Sequence, residues 1–177
     1  MRSSKWILSF LPLATLFLVL PLVAQEKEGP AAFYVVSEYD ETRDPAVDLQ
    51  VAVERAQREG KRILIQVGGE WCSWCKLLDA YIHDHPSVSE IIDSNYLMMK
   101  VNWSRENHNE AFLGQYPAIR GYPHIFVLEK DGSFLHSQGT GELEEGRSYN
   151  EEVLIGFLRE WAGSNGDLSP RPVGRSS

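Results

Sequence analysis

Cys72 and Cys75 are the only two thiols of the 177-residue chain. Sulfurs at that spacing can close a disulfide within one turn of helix. Such a bond is a weak staple, because closing a four-residue loop removes only about 2 kcal/mol of unfolded-chain entropy. The chemistry that suits the spacing is reversible thiol–disulfide exchange, in which one sulfur attacks and its neighbour resolves the mixed disulfide. The competing readings are a permanent small-loop disulfide and a pair of unreactive buried thiols. A four-ligand zinc site needs a second pair of ligands. Only His83 and His85 could improvise one, so no metal is expected.

The surrounding elements must present one sulfur and hide the other. Lys61–Val67 reads as a buried strand, Gly68-Gly69 breaks it, and Trp74–Ile82 has a helical pattern. Cys72 therefore stands at a helix N-terminus, where unpaired N–H groups and the helix dipole favour a thiolate, and is expected to attack. Cys75, one turn further in, is expected to be more buried and to resolve. Upstream, Asp44 is a helix cap, Pro45 suits the first helical position and Gly60 ends the helix. Val47, Leu49, Val51, Ala52 and Ala56 form its apolar stripe.

Downstream, Asp84-His85-Pro86-Ser87 interrupts the helical region, which resumes over Val88–Ile92. Tyr96–Val101 is a second buried strand, Pro123–Glu129 a third and Ser133–Ser137 a fourth. The Asp131-Gly132 turn joins the last two as an antiparallel pair. Phe33–Val36 reads as a short edge strand, and Arg105–Tyr116 as polar and partly helical. Gly139, Gly141 and Gly146 mark a flexible loop. Asn150 opens a last amphipathic helix with Val153, Leu154, Phe157, Leu158 and Trp161 on one side. Pattern alone supports an α/β sandwich.

Trp71-Cys72-Ser73-Trp74-Cys75-Lys76 at the head of a helix, followed much later by Arg120-Gly121-Tyr122-Pro123 running into a buried strand, resembles the thioredoxin superfamily. The resemblance implies a thioredoxin-like α/β fold, a central mixed β-sheet flanked by helices. Asp44–Gly60 would be the extra N-terminal helix of an exported branch. It also implies that Cys72 and Cys75 are the catalytic redox pair. Pro123 is expected in the cis form with its ring against the sulfurs, Tyr122 to offer backbone groups to an extended substrate, and Trp71 to shield Cys72 at the rim. No cofactor is implied.

Two departures matter. Many reductases of the superfamily carry a buried Asp six residues before the first cysteine, which helps deprotonate the resolving thiol. Gln66 stands there instead, and an amide cannot take that proton, which leaves Glu70 or water. Ser73-Trp74 replaces the Gly-Pro of cytosolic thioredoxins. This dipeptide tunes a redox poise that spans about −270 to −120 mV across the superfamily.

Arg2 and Lys5 precede the apolar run Trp6–Val23, and the chain turns polar after Ala24. That is the layout of a secretory signal peptide over residues 1–24, with an uncleaved membrane anchor as the alternative. Residues 25–43 form a lead-in, 44–163 the thioredoxin-like domain, and 164–177 a tail whose composition reads as disordered. The formal net charge of −8 argues against nucleic acid or an anionic membrane surface as partner. The sequence thus predicts a monomeric thiol–disulfide oxidoreductase, exported to the periplasm or secreted, that reduces disulfide-containing proteins. A membrane electron donor or other redox partner would recharge it. The alternatives are an oxidase or isomerase on the same fold, and a non-catalytic binding or chaperone-like module.

Overall fold

The computed structural model describes residues 31–163. Five strands make one mixed sheet: β1 (Tyr34–Val36), β2 (Arg62–Gly68), β3 (Tyr96–Asn102), β4 (His124–Leu128) and β5 (Phe134–Gly139), in the spatial order β1-β3-β2-β4-β5. β3 pairs in parallel with β1 and β2, whereas β4 runs antiparallel to both β2 and β5. The expected edge strand is therefore real. The two apolar runs, β2 and β3, lie side by side with Gln66 opposite Lys100.

Side chains on a strand alternate between faces, and here each face has its own core. Ile63, Ile65 and Val67 of β2 join Leu97, Met99 and Val101 of β3 and Phe126 and Leu128 of β4. They pack against α1 (Pro45–Glu59), whose Ala52 and Ala56 are fully buried. Leu64, Met98, Ile125 and Val127 face the other way, onto Leu78 and Ile82 of α2 (Ser73–Asp84), Val88 and Ile92 of α3 (Pro86–Asn95) and residues of the C-terminal helix. Gln66 and Lys100 share the alternation of Leu64 and Met98, so two polar side chains enter the face that carries α2.

The boundaries of α1 follow the sequence closely. The Asp44 carboxylate accepts a hydrogen bond from the Ala46 N–H, and Gly60 closes the helix in the left-handed region at φ 69°. Its apolar stripe needs correction. Val47 and Val51 are more than half exposed, while Pro45, Asp48, Ala52 and Ala56 are buried. Alanine lets the helix approach the sheet closely, and Asp48 is held by an ion pair with Arg43. A short helix, α4 (Glu110–Leu113), follows β3. The last helix, α5 (Glu151–Glu160), is capped by Asn150, whose side chain accepts from the Val153 N–H. It buries Leu154, Phe157 and Leu158 but leaves Val153 exposed.

The glycine-marked loop is a 3₁₀ turn (Thr140–Leu143) and a two-stranded hairpin, β6 (Glu144–Glu145) with β7 (Ser148–Tyr149). Buried Leu143 and Tyr149 anchor it, and the Thr140 hydroxyl donates to the Pro123 carbonyl at 2.7 Å. Residues 1–24 and 164–177, the expected signal peptide and tail, lie outside the described residues. Among the described residues no helix is long and apolar enough to cross a membrane.

Candidate active site

Strand β2 ends at Gly68, and the chain turns at once into α2 through Gly69-Glu70-Trp71. The Cys72 N–H donates to the Gly69 carbonyl at 3.0 Å, which brings Cys72 to the cap position of α2. There its sulfur accepts from the Cys75 N–H at 3.1 Å. This is a helix N-terminus with a sulfur in the place of a capping oxygen, so its polarised N–H groups favour negative charge on Cys72. Cys72 and Cys75 are disulfide-bonded. Cys75 is fully buried and Cys72 keeps 4% of its surface, so the small opening is on the side of Cys72. Gly68 is needed here for close approach: a Cβ on it would lie 2.4 Å from the Cys75 sulfur.

The Tyr122–Pro123 bond is cis, as the superfamily resemblance implied. Tyr122 packs against the cluster of Tyr39, Cys72 and Cys75. Pro123 is buried, and its carbonyl is taken by Thr140. Beside this loop runs a cleft of about 500 Å³ lined by Arg120, Tyr122, Pro123, Thr140 and Glu142, among others. His124 is buried at its floor and bonded to the Ser137 hydroxyl at 2.8 Å. Burial, reinforced by His136, pushes its pKa down to about 4, so the ring is neutral at pH 7.

Trp71 is 55% exposed. Its indole N–H donates to the Trp103 carbonyl at 2.7 Å, and its ring meets Trp103 and Tyr122 edge-on. Trp103 in turn stacks on Tyr122 and His108. The sequence singled out Trp71 and Tyr122 but not Trp103 and His108, which the fold stacks beside them. The available signal was positional, because Trp103 follows β3 just as Gly69 follows β2. The Trp103 N–H to Gly68 carbonyl bond at 2.6 Å ties the two strand ends together.

The inner side of the disulfide is polar. The Gln66 amide donates to the Tyr39 hydroxyl at 2.8 Å and to Asp79 at 3.1 Å, and Lys100 donates to the other Asp79 oxygen at 2.7 Å. The Lys100 ammonium also lies over the rings of Tyr34 and Tyr39. Burial, then the Asp79 charge, pushes the Tyr39 pKa well above its usual value. Asp79 thus fills the neighbourhood where superfamily reductases keep a carboxylate on the strand, reaching it from the helix instead. Glu70, expected as a possible proton acceptor, points to the surface and pairs with Lys76 at 3.5 Å, both side chains at least 60% exposed. Asp79 and Lys100 also line a surface cleft of about 630 Å³, together with Tyr34 and Glu38.

Residues 44–130 match a family described as thioredoxin-like. The chain is 28% identical over 137 residues to the thiol:disulfide interchange protein DsbD of Pseudomonas fluorescens, covering 75% of this chain and 21% of that protein. It is also 28% identical over 144 residues to DsbD of Neisseria meningitidis serogroup B, covering 77% of this chain and 21% of that protein. The chain thus spans about a fifth of the length of the curated relatives it matches. Among solved structures, a disulphide isomerase from Xylella fastidiosa aligns with a TM-score of 0.60 at 23% identity, covering 69% of this chain and 94% of that one. The oxidised C-terminal domain of Neisseria meningitidis DsbD aligns with a TM-score of 0.53 at 19% identity, covering 71% and 99%. These two structures share the fold.

Proposed function

Starting from a chain that belongs to the thioredoxin superfamily and is a thiol–disulfide oxidoreductase by its Cys72–Cys75 pair, we propose that it is exported and works as a reductase of protein disulfides. One observation carries this reading. The Cys72 sulfur caps α2 beside the cis Tyr122–Pro123 loop, with its resolving partner one turn deeper.

In the reduced protein the Cys72 thiolate attacks one sulfur of a substrate disulfide. A Cys72–substrate bond forms, and the other substrate sulfur leaves as a thiolate and takes a proton from solvent. Cys75 then gives up its proton, and its electron pair attacks the Cys72 sulfur. The Cys72–Cys75 disulfide closes and the second substrate sulfur departs as a thiolate that takes a proton from solvent, so two electrons have passed to the substrate. The backbone groups of Tyr122 hold the substrate chain in strand-like pairing, and Trp71 covers the attacking sulfur. Asp79, one turn beyond Cys75 on α2 and in contact with Gln66, takes the Cys75 proton that Gln66 cannot accept.

The closed disulfide must be re-reduced from outside. Relatives named thiol:disulfide interchange proteins support a partner protein, membrane-borne in this reading, as the electron source. The basic and apolar run over residues 1–24 supports export, by cleavage or as an anchor, and the protein acts as a monomer. The test is trapping with Cys75→Ala, which should accumulate mixed disulfides through Cys72, together with insulin reduction by the wild type. A redox potential against glutathione as oxidising as that of a dedicated oxidase would overturn the reductase direction.

A further inference from the structure

The inner polar cluster contains a donor without an acceptor. Gln66 is fully buried, and its amide orientation is dictated by charge: the NH₂ group must face Asp79, since the carbonyl turned that way would meet a carboxylate held by Lys100. With the NH₂ group committed to Asp79 and to the Tyr39 oxygen, the Gln66 carbonyl oxygen is buried without a partner. Tyr39 Oη is therefore an acceptor from Gln66, and its own hydrogen must point elsewhere. Among the described residues that hydrogen reaches no acceptor in the oxidised protein. A buried hydroxyl hydrogen left unbonded is destabilising. A redox role is one recognised reason for a buried polar group to stay unpaired in one state of a protein.

The geometry identifies that acceptor. Tyr39 packs directly on Cys72 and Cys75. A Cβ on Gly68 would lie 2.4 Å from the Cys75 sulfur and 3.0 Å from the Tyr39 oxygen, so both atoms converge on one point above a glycine. While the disulfide is closed, the Cys75 sulfur is neutral and a poor acceptor. Opening the disulfide frees that sulfur from Cys72, and losing its proton makes it a strong acceptor of a charge-assisted hydrogen bond.

We propose that Tyr39 donates its hydroxyl hydrogen to the Cys75 sulfur once the disulfide opens, and so stabilises the resolving thiolate. This rests on the redox use of the pair but not on the direction of electron flow. The step keeps its balance. The Cys75 proton goes to Asp79 or to water in the cleft that reaches it, Tyr39 keeps its own proton throughout, and the Cys75 electron pair then attacks the Cys72 sulfur. The charges around the Tyr39 donor are Asp79 from α2, Lys100 from β3 and Glu70 from the loop before α2, with Tyr34 from β1 as a further titratable neighbour. Tyr39 stays protonated at neutral pH, because burial and the Asp79 charge disfavour its phenolate. It is a donor wherever the enzyme works.

The test isolates the resolving sulfur. In a Cys72→Ser protein, which keeps a hydroxyl at the cap of α2, the Cys75 thiolate is titrated by its ultraviolet absorbance, with and without Tyr39→Phe. Loss of the hydroxyl should move the titration to higher pH, leaving about tenfold fewer Cys75 thiolates at neutral pH, as expected for a hydrogen bond to a charged group. An unmoved titration overturns the proposal. Should Tyr39→Phe not fold, Gln66→Met serves, because it releases the Tyr39 oxygen from its anchor. A shift in the same direction supports the role and none overturns it. The titration needs no substrate, so it can fail while insulin reduction succeeds, and the reverse.

Discussion

On the outer side of the Cys72–Cys75 disulfide stand Trp71, Trp103 and Tyr122, aromatic rings meeting edge to face and stacked. On its inner side stand Tyr39, Gln66, Asp79 and Lys100, joined by hydrogen bonds. The outer group is exposed or half-buried and carries no ionised side chain, so it contributes contact area and shape. The inner group is mostly buried, with Asp79 reaching a surface cleft, and it contains an ion pair, so small changes in proton position there have large electrostatic consequences. In the proposed function, capture of a substrate belongs to the first region and handling of charge on the sulfurs to the second. The buried disulfide lies between the two, packed with Tyr39 on one side and Tyr122 on the other.

Substitutions on either side should separate these tasks. The largest effect is expected on the inner side. Asp79→Asn should slow release of a trapped substrate by Cys75 on the order of a hundredfold at pH 7, the usual scale for losing a general base. Substrate KM should stay where it was, and single-turnover kinetics of the mixed disulfide would show this. Gly68→Ala strikes the junction between the regions. Its new methyl would press on the Cys75 sulfur and lower stability by about 2 kcal/mol, measurable as a lower denaturant midpoint for the oxidised protein.

Trp71→Ala is confined to the outer side. It should reduce kcat/KM on protein substrates about tenfold through KM, with the pH profile of resolution unmoved. A shifted profile would mean that the two regions are not independent. The smallest effect concerns His124, in the floor of the outer cleft. Its folded pKa of about 4 lies below the 6.5 of a free ring, so the unfolded chain binds more protons between those values. Stability is fully present above about pH 6.5 and falls as the pH drops towards 4. His124→Gln should flatten that part of the acid-side stability curve, read from denaturant midpoints at pH 7 and pH 4.5.

Much of the frame is legible in the sequence. Asp44, Pro45 and Gly60 marked both ends of α1 because capping is local chemistry that the sequence displays directly. The cis Tyr122–Pro123 bond came from the superfamily resemblance and not from local preference, which does not impose it. The misplaced residues share a cause. Val47, Val51 and Val153 are apolar and helical but face solvent, because which helix face is buried depends on what packs against it. The glycines after Gly139 looked like a free loop, yet the contact between Thr140 and Pro123 holds that segment to the active-site cleft.

Spacing, caps and periodicity along a continuous stretch of chain were enough to read the Cys72–Cys75 pair, its place at a helix N-terminus and the order of strands and helices. The environment of the pair was decided by tertiary structure. Tyr39, Gln66, Asp79 and Lys100 come from four separated segments, as do Trp71, Trp103 and Tyr122 from three. Gln66 looked like a missing carboxylate because the sequence has no measure of distance across a sheet. Only folding brings Asp79 to it from the neighbouring helix.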